Sequence, residues 1–114
     1  MRLLRSFKYA FEGLFYAIRT QKNFRIHILA GTLVGIAGIY YRIELSHWAI
    51  LSICIGMVLS AELFNSAIEI LCDKICPEKD PVIKRIKDLS AAAVLILSMA
   101  AVAVGIFIFS GYIF

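Results

Sequence analysis

No phosphate-cradling G-x-x-x-x-G-K-[ST] run, no soluble protein-kinase signature and no G-x-S-x-G elbow occurs in this chain, so the common soluble frameworks for nucleotide and acyl chemistry are missing. Repeats, low-complexity tracts and a second domain are absent too, and 114 residues make one small domain. There are three cysteines, Cys54, Cys72 and Cys76, an odd number that argues against a disulfide framework and for free thiols in a reducing setting. Cys72 and Cys76 flank Asp73 at helical spacing but lack the second His/Cys pair that a soft-metal site needs, so they read as packing residues. The only two prolines, Pro77 and Pro81, bracket a single mixed-charge turn. No cleavable signal peptide is expected, because the first apolar residues are interleaved with charge.

Apolar residues fill what is left. They make up 61% of the chain, the mean hydropathy is +0.86, and three long apolar segments run from Ile26 to Ile43, Leu45 to Leu71 and Leu89 to Phe114. The first is interrupted by His27; the last carries no charge over 26 residues. The composition is that of a membrane protein, with transmembrane helices expected at about residues 26–43, 45–72 and 89–112. All twelve Lys and Arg fall in loops or ends: six before the first span, Arg42 after it, and five between the second and third. By the positive-inside rule the N-terminus and the second loop are cytoplasmic and Arg42 lies outside. The net charge of +4 suits an anionic inner leaflet or a phosphorylated substrate, and nucleic acid is not expected as a partner.

Ahead of the spans, residues 1–22 read as an amphipathic surface helix. Leu3, Leu4, Phe7, Phe11, Leu14, Phe15 and Ile18 cover one arc, and Arg2, Arg5, Lys8, Glu12, Tyr16 and Arg19 the other. Arg2 and Tyr9 are the side chains on its polar side that could reach a phosphate or nucleotide. In the first span, Gly31 and Gly35 make a G-x-x-x-G spacing that permits close backbone approach. His47 reads as a solvated loop histidine, and His27, at the opposite rim, as unremarkable by itself.

The second span holds the anomaly. Glu62, Asn65 and Glu69 interrupt an otherwise apolar helix, with Asp73 just beyond, and at about 100° per residue all four fall within roughly 80° of one face. A mid-membrane acidic residue costs on the order of 2.5–3.5 kcal/mol on insertion scales, so such residues are functional candidates by default. Lys84, Arg85, Lys87 and Asp88 enter the third span near Asp73. Basic side chains beside clustered carboxylates suit magnesium and phosphate together. On the residues alone three classes stay open: an enzyme joining an aqueous anionic cofactor to a lipid-dissolved partner, a proton-coupled transporter using Glu62, and a scaffold glued by its polar face.

The run Ala61-Glu62-Leu63-Phe64-Asn65-Ser66-Ala67-Ile68-Glu69 with Asp73, then Lys87-Asp88 and Ala91-Ala92-Ala93-Val94-Leu95-Ile96, closely resembles the prokaryotic diacylglycerol kinase family. The likeness extends to Phe7-Lys8-Tyr9-Ala10-Phe11-Glu12-Gly13-Leu14 and to Asn23-Phe24-Arg25-Ile26-His27, whose form is similar to the undecaprenol kinase branch. It implies an all-α integral membrane protein of the bacterial inner membrane, a homotrimeric helical bundle of three-span protomers with N-terminal surface helices. The implied reaction moves the ATP γ-phosphate to a lipid alcohol, undecaprenol first and diacylglycerol as the alternative. Carried over by residue, Glu62 is the general base, Asn65 supports the lipid-alcohol site, and Glu69 coordinates Mg²⁺. Arg2, Tyr9, Glu78, Asp80, Lys87 and Asp88 match nucleotide-contacting positions, and Arg2 also a substrate-contacting one. Gln21 stands where many members carry a second metal-assisting glutamate; its amide oxygen can ligate Mg²⁺ but brings no charge.

Overall fold

The computed structural model describes all 114 residues as four helices: α1 (Arg2–Thr20), α2 (Lys22–Tyr41), α3 (Leu45–Ile75) and α4 (Pro81–Ile113). At 1.5 Å rise per residue, α2 is about 30 Å long, α3 about 46 Å and α4 about 50 Å; a bilayer core is about 30 Å thick. All three are long and apolar enough to cross a membrane. Their packing agrees with that medium. Only 12 of the 114 residues are buried, while Leu29, Leu33, Ile36 and Ile39 along α2 each stay more than half-exposed. Water would not tolerate such a surface.

Helix α3 is the central element, packed against α4 along its length and against α2 over a shorter stretch. Close approach of α2 to its neighbours is set by Gly31 and Gly38, not by the G-x-x-x-G pair. A Cβ at Gly38 would meet the Trp48 ring at 2.6 Å and one at Gly31 would meet Ile55 at 3.2 Å, whereas Gly35 has nothing within 4 Å. The far end of the bundle is closed by Tyr112 of α4. Its hydroxyl accepts from the Glu44 amide at 2.8 Å and lies 2.8 Å from His47 Nδ1, so His47 is a bonded corner residue and not the solvated loop histidine expected.

Two junctions position the remaining features. Between α1 and α2 only Gln21 leaves the helical conformation (φ −106°, ψ 106°). The turn is held by Arg25, whose guanidinium donates to the Ile18 and Arg19 carbonyls at 2.9 and 3.1 Å, a cation on the exposed C-terminal carbonyls of α1. The protein measures 52 × 41 × 20 Å. Three helices side by side at about 8–10 Å spacing are narrower than the middle dimension, so α1 runs outward from the bundle.

At the other junction, Cys76 to Asp80 join α3 to α4. Asp80 caps α4: its Oδ1 accepts from the Val82 and Ile83 amides at 2.8 and 3.2 Å, with Pro81 in the first turn. The helix therefore starts at Pro81, before the charge-free stretch at Leu89, because a proline after a capping aspartate initiates a helix whatever the charges that follow. Asp80→Ala should cost about 1 kcal/mol of stability, visible as a lowered unfolding midpoint in micelles; an unchanged midpoint would show that the cap is redundant.

Candidate active site

The polar face of α3 is turned inward. Glu62 is 3% exposed, Asn65 6% and Ser66 6%, and these are the buried polar side chains of the protein. Burial of groups that water would otherwise solvate requires partners; α2 supplies one, the α1–α2 elbow another, and α3 itself a third. The Glu62 carboxylate faces His27 of α2, Oε2 to Nε2 at 3.6 Å. The Ser66 hydroxyl donates to Gln21 Oε1 at 3.2 Å, and Asn65 Nδ2 donates to Glu69 Oε1 at 3.5 Å. Asn65 Oδ1 is buried and has no hydrogen-bond partner. An acceptor of that kind is completed by a ligand's donor or by a cation.

The Gln21–Ser66 contact also fixes heights along α3. Glu62 lies one turn to the bundle side of the elbow. Glu69 and Asp73 lie on the other side, in the part of the α3–α4 hairpin that projects beyond it by about 15 Å, the rise from Ser66 to Cys76. There Lys87 Nζ donates to Asp73 Oδ1 across the hairpin, while Lys84 pairs with Asp88 at 2.7 Å on the exposed side of α4. Lys87 and Asp88 thus do not act as a local pair. Consecutive helical residues point about 100° apart, so Lys87 faces α3 and the ladder while Asp88 faces outward.

The other expected site residues are distributed unevenly. Gln21 sits against the ladder. Asp80 has one carboxylate oxygen engaged in the α4 cap, and Glu78, at the hairpin tip, accepts from the Cys76 thiol at 3.5 Å. Partial burial, then that bond, raises the Cys76 thiol above its ordinary range. Tyr9 and Arg2 are exposed on α1, about 18 and 28 Å from Gln21 along the helix. One protomer does not bring them to Glu62.

Glu69 and Gln21 reach this part of α3 through different neighbours, Asn65 and Ser66, and both are oxygen donors of the kind that Mg²⁺ takes. Glu69 and Gln21 present hard oxygen atoms, each with lone pairs beyond the hydrogen bond it accepts. Mg²⁺ commonly takes only one or two carboxylates and completes its shell with water and phosphate. On the other side of the elbow an apolar groove of 680 Å³ runs between α2, α3 and α4, lined by residues such as Val34, Leu51, Val58, Val102 and Phe109, with His27 among them. His27 and Ser66 were not singled out by the sequence. Both act through contacts between helices that are distant in the chain, and periodicity within one helix carries no signal for those.

Comparison with known proteins identifies the family. The profile described as prokaryotic diacylglycerol kinase matches residues 8–109. The chain is 34% identical over 108 residues to the undecaprenol kinase of Bacillus subtilis, covering 95% of this chain and 88% of that protein. To the diacylglycerol kinase of Synechocystis it is 39% identical over 104 residues, 90% of this chain and 59% of that protein. The diacylglycerol kinase of Escherichia coli K12 is 30% identical over 101 residues, 89% and 83% respectively. A buried glutamate on a membrane-length helix and a profile match over most of the chain lead to one conclusion: the chain belongs to the prokaryotic diacylglycerol kinase family of membrane lipid kinases, phosphotransferases with an alcohol acceptor.

Proposed function

We propose that this protein transfers the γ-phosphate of ATP to undecaprenol at the elbow between α1 and α2. One observation carries the reading: Glu62 is buried on the bundle side of the Gln21–Ser66 contact, while Glu69 and Asp73 lie on the projecting side. A hydroxyl that stays in lipid and a nucleotide that stays in water can meet across that step. Glu62 is the carboxylate toward which the hydroxyl proton is drawn. Asn65, whose Oδ1 is an unpartnered acceptor, supports the same site. Lys87, held by Asp73, presents positive charge to the phosphates, and Glu78, Asp80 and Asp88 belong to the nucleotide side of the hairpin. Phosphoryl transfer asks for positioning and charge neutralisation more than covalent help.

Glu69 and Gln21 would hold Mg²⁺, which supplies charge neutralisation on the phosphates. Gln21→Glu keeps an oxygen that can accept from Ser66 and adds charge. It should retain or improve activity when Mg²⁺ is limiting; a large loss would show that position 21 does not face the metal.

The basic N-terminal helix and second loop support a multi-pass arrangement in the bacterial inner membrane with the N-terminus cytoplasmic. The apolar face of α1, with Phe7, Phe11 and Phe15 each more than half-exposed, fits the interface plane at the height of the elbow. From there to Leu45, α3 has about 32 Å of length, one bilayer core. Arg2 and Tyr9 contribute to a site only when α1 of one copy lies along another, which favours the homotrimer that the family resemblance implies.

Undecaprenol is preferred over diacylglycerol because the match to the undecaprenol kinase covers nearly the whole of both chains. Competition between the two alcohols in one micelle, with Mg-ATP, tests this. The phosphorylated polyprenol should dominate at equal mole fraction; a predominance of phosphatidic acid would reassign the substrate and leave the kinase chemistry in place.

A further inference from the structure

The apolar groove between α2, α3 and α4 has a polar end and a direction. Lys87 of α4 meets Asp73 of α3 across the hairpin, and the two helices pack antiparallel from there. Eleven residues further along, each helix has made about three full turns and returns to the same face, so Glu62 of α3 and Ser98 of α4 stand at one height. Ser98 lines the groove, and its Oγ is buried without a hydrogen-bond partner. From that height the groove follows α4 outward past Val102, Gly105 and Phe109 to Ile113 and Phe114. Ser98 to Phe114 is about 24 Å of helix, and Glu62 lies about 6 Å to the bundle side of Ser66. The groove therefore runs through nearly all of a bilayer core of about 30 Å.

We propose that this groove is the subsite for the single prenyl chain of the lipid alcohol, and that Gly105 determines chain specificity by keeping its outer half open. This rests on the lipid-kinase reading above and deepens it. The length of the groove selects the occupant. The acyl chains of a diacylglycerol belong to one leaflet, about 15 Å of hydrocarbon, and end near the midplane. A polyprenol chain is longer than a leaflet and follows the groove across it. In hydrocarbon such a chain gains wall contacts and a fixed position, not release from water. A chain laid along α4 holds its hydroxyl at the height of Glu62 and Ser98, which is a gain in positioning.

Gly105 stands about 10 Å outward of Ser98, near the midplane. It lines the groove, and a Cβ there would have nothing within 4 Å. A larger side chain enters the groove at that point without displacing a neighbour. Gly31 on the opposite wall differs, since a Cβ there would meet Ile55 at 3.2 Å and disturb the packing of α2 on α3.

The test compares wild type with Gly105→Leu, full-length in mixed micelles with Mg-ATP, on prenols of increasing length from geraniol to undecaprenol. In wild type kcat/KM should rise with chain length. In Gly105→Leu the KM for undecaprenol should rise at least about fivefold, while kcat and the KM for ATP stay within about twofold, the pattern of lost binding without lost chemistry. Any turnover of geraniol, too short to reach position 105, should be the same in both proteins. The proposal is overturned if the KM for undecaprenol is unchanged in Gly105→Leu, or if wild type uses geraniol as well as undecaprenol. It is also overturned if Gly105→Leu alters the size of the assembly by light scattering, which would show that a neighbouring copy fills the groove. A wild-type protein that phosphorylates neither a prenol nor diacylglycerol would instead overturn the kinase reading itself, and this proposal with it.

Discussion

Glu62→Gln lowers kcat by about 10²- to 10⁴-fold, the range by which a positioned proton acceptor accelerates transfer, and leaves the protein folded and assembled. The amide has the size of the carboxylate and fits the same pocket between α2 and α3, but it can neither take a proton nor stabilise a charged partner. Its effect on stability should be neutral or favourable, because a buried carboxylate is costly to desolvate and an amide is less so. Activity and thermal unfolding must therefore separate. If Glu62→Gln dissolves the assembly or lowers the unfolding midpoint as much as the activity, the polar face is glue between helices and the scaffold reading returns.

Lys87→Met is the second large effect. Lys87 is the cation of α4 that faces the ladder, and Asp73 holds it there through a hydrogen bond across the hairpin. Methionine keeps much of the stem and its packing and removes only the charge. A single preorganised donor at a developing charge is worth about 10²- to 10³-fold in kcat, and the loss should appear in kcat more than in the KM for ATP. Because Asp73 works through Lys87, adding Asp73→Asn to Lys87→Met should cost little more. Retention of kcat within about threefold in Lys87→Met would mean that this lysine serves the hairpin and not the phosphate.

The one-dimensional features of this protein are the ones a helical repeat can encode. Glu62, Asn65, Glu69 and Asp73 share a face because 3.6 residues per turn puts them there, and the structure buries Glu62 and Asn65 on it, half-covers Glu69 and leaves Asp73 exposed at the projecting end. The three spans and the amphipathic α1 follow from apolar length and moment for the same reason. What periodicity does not encode is which residue stands opposite. His27 is unremarkable within α2, and only the crossing of α2 on α3 gives it Glu62 as a neighbour. Lys87 and Asp88 are adjacent in the chain, yet the helical turn between them sends one to Asp73 and the other to Lys84. Asp80 reads as a loop acid until its amide partners reveal a cap. Gly35 completes a sequence motif that the packing ignores in favour of Gly38, whose space is set by the Trp48 ring from the next helix.

The central claim is that the two sides of the Gln21–Ser66 elbow join a lipid hydroxyl to a nucleotide phosphate. The direct measurement is transfer of label from [γ-³²P]ATP to extracted lipid by the purified protein with Mg²⁺ and undecaprenol in micelles. The expected result is labelled undecaprenyl phosphate formed by wild type and reduced to near background in Glu62→Gln. No labelled lipid from either undecaprenol or diacylglycerol, together with Glu62-dependent proton flux in vesicles, would contradict it and mark the protein as a transporter.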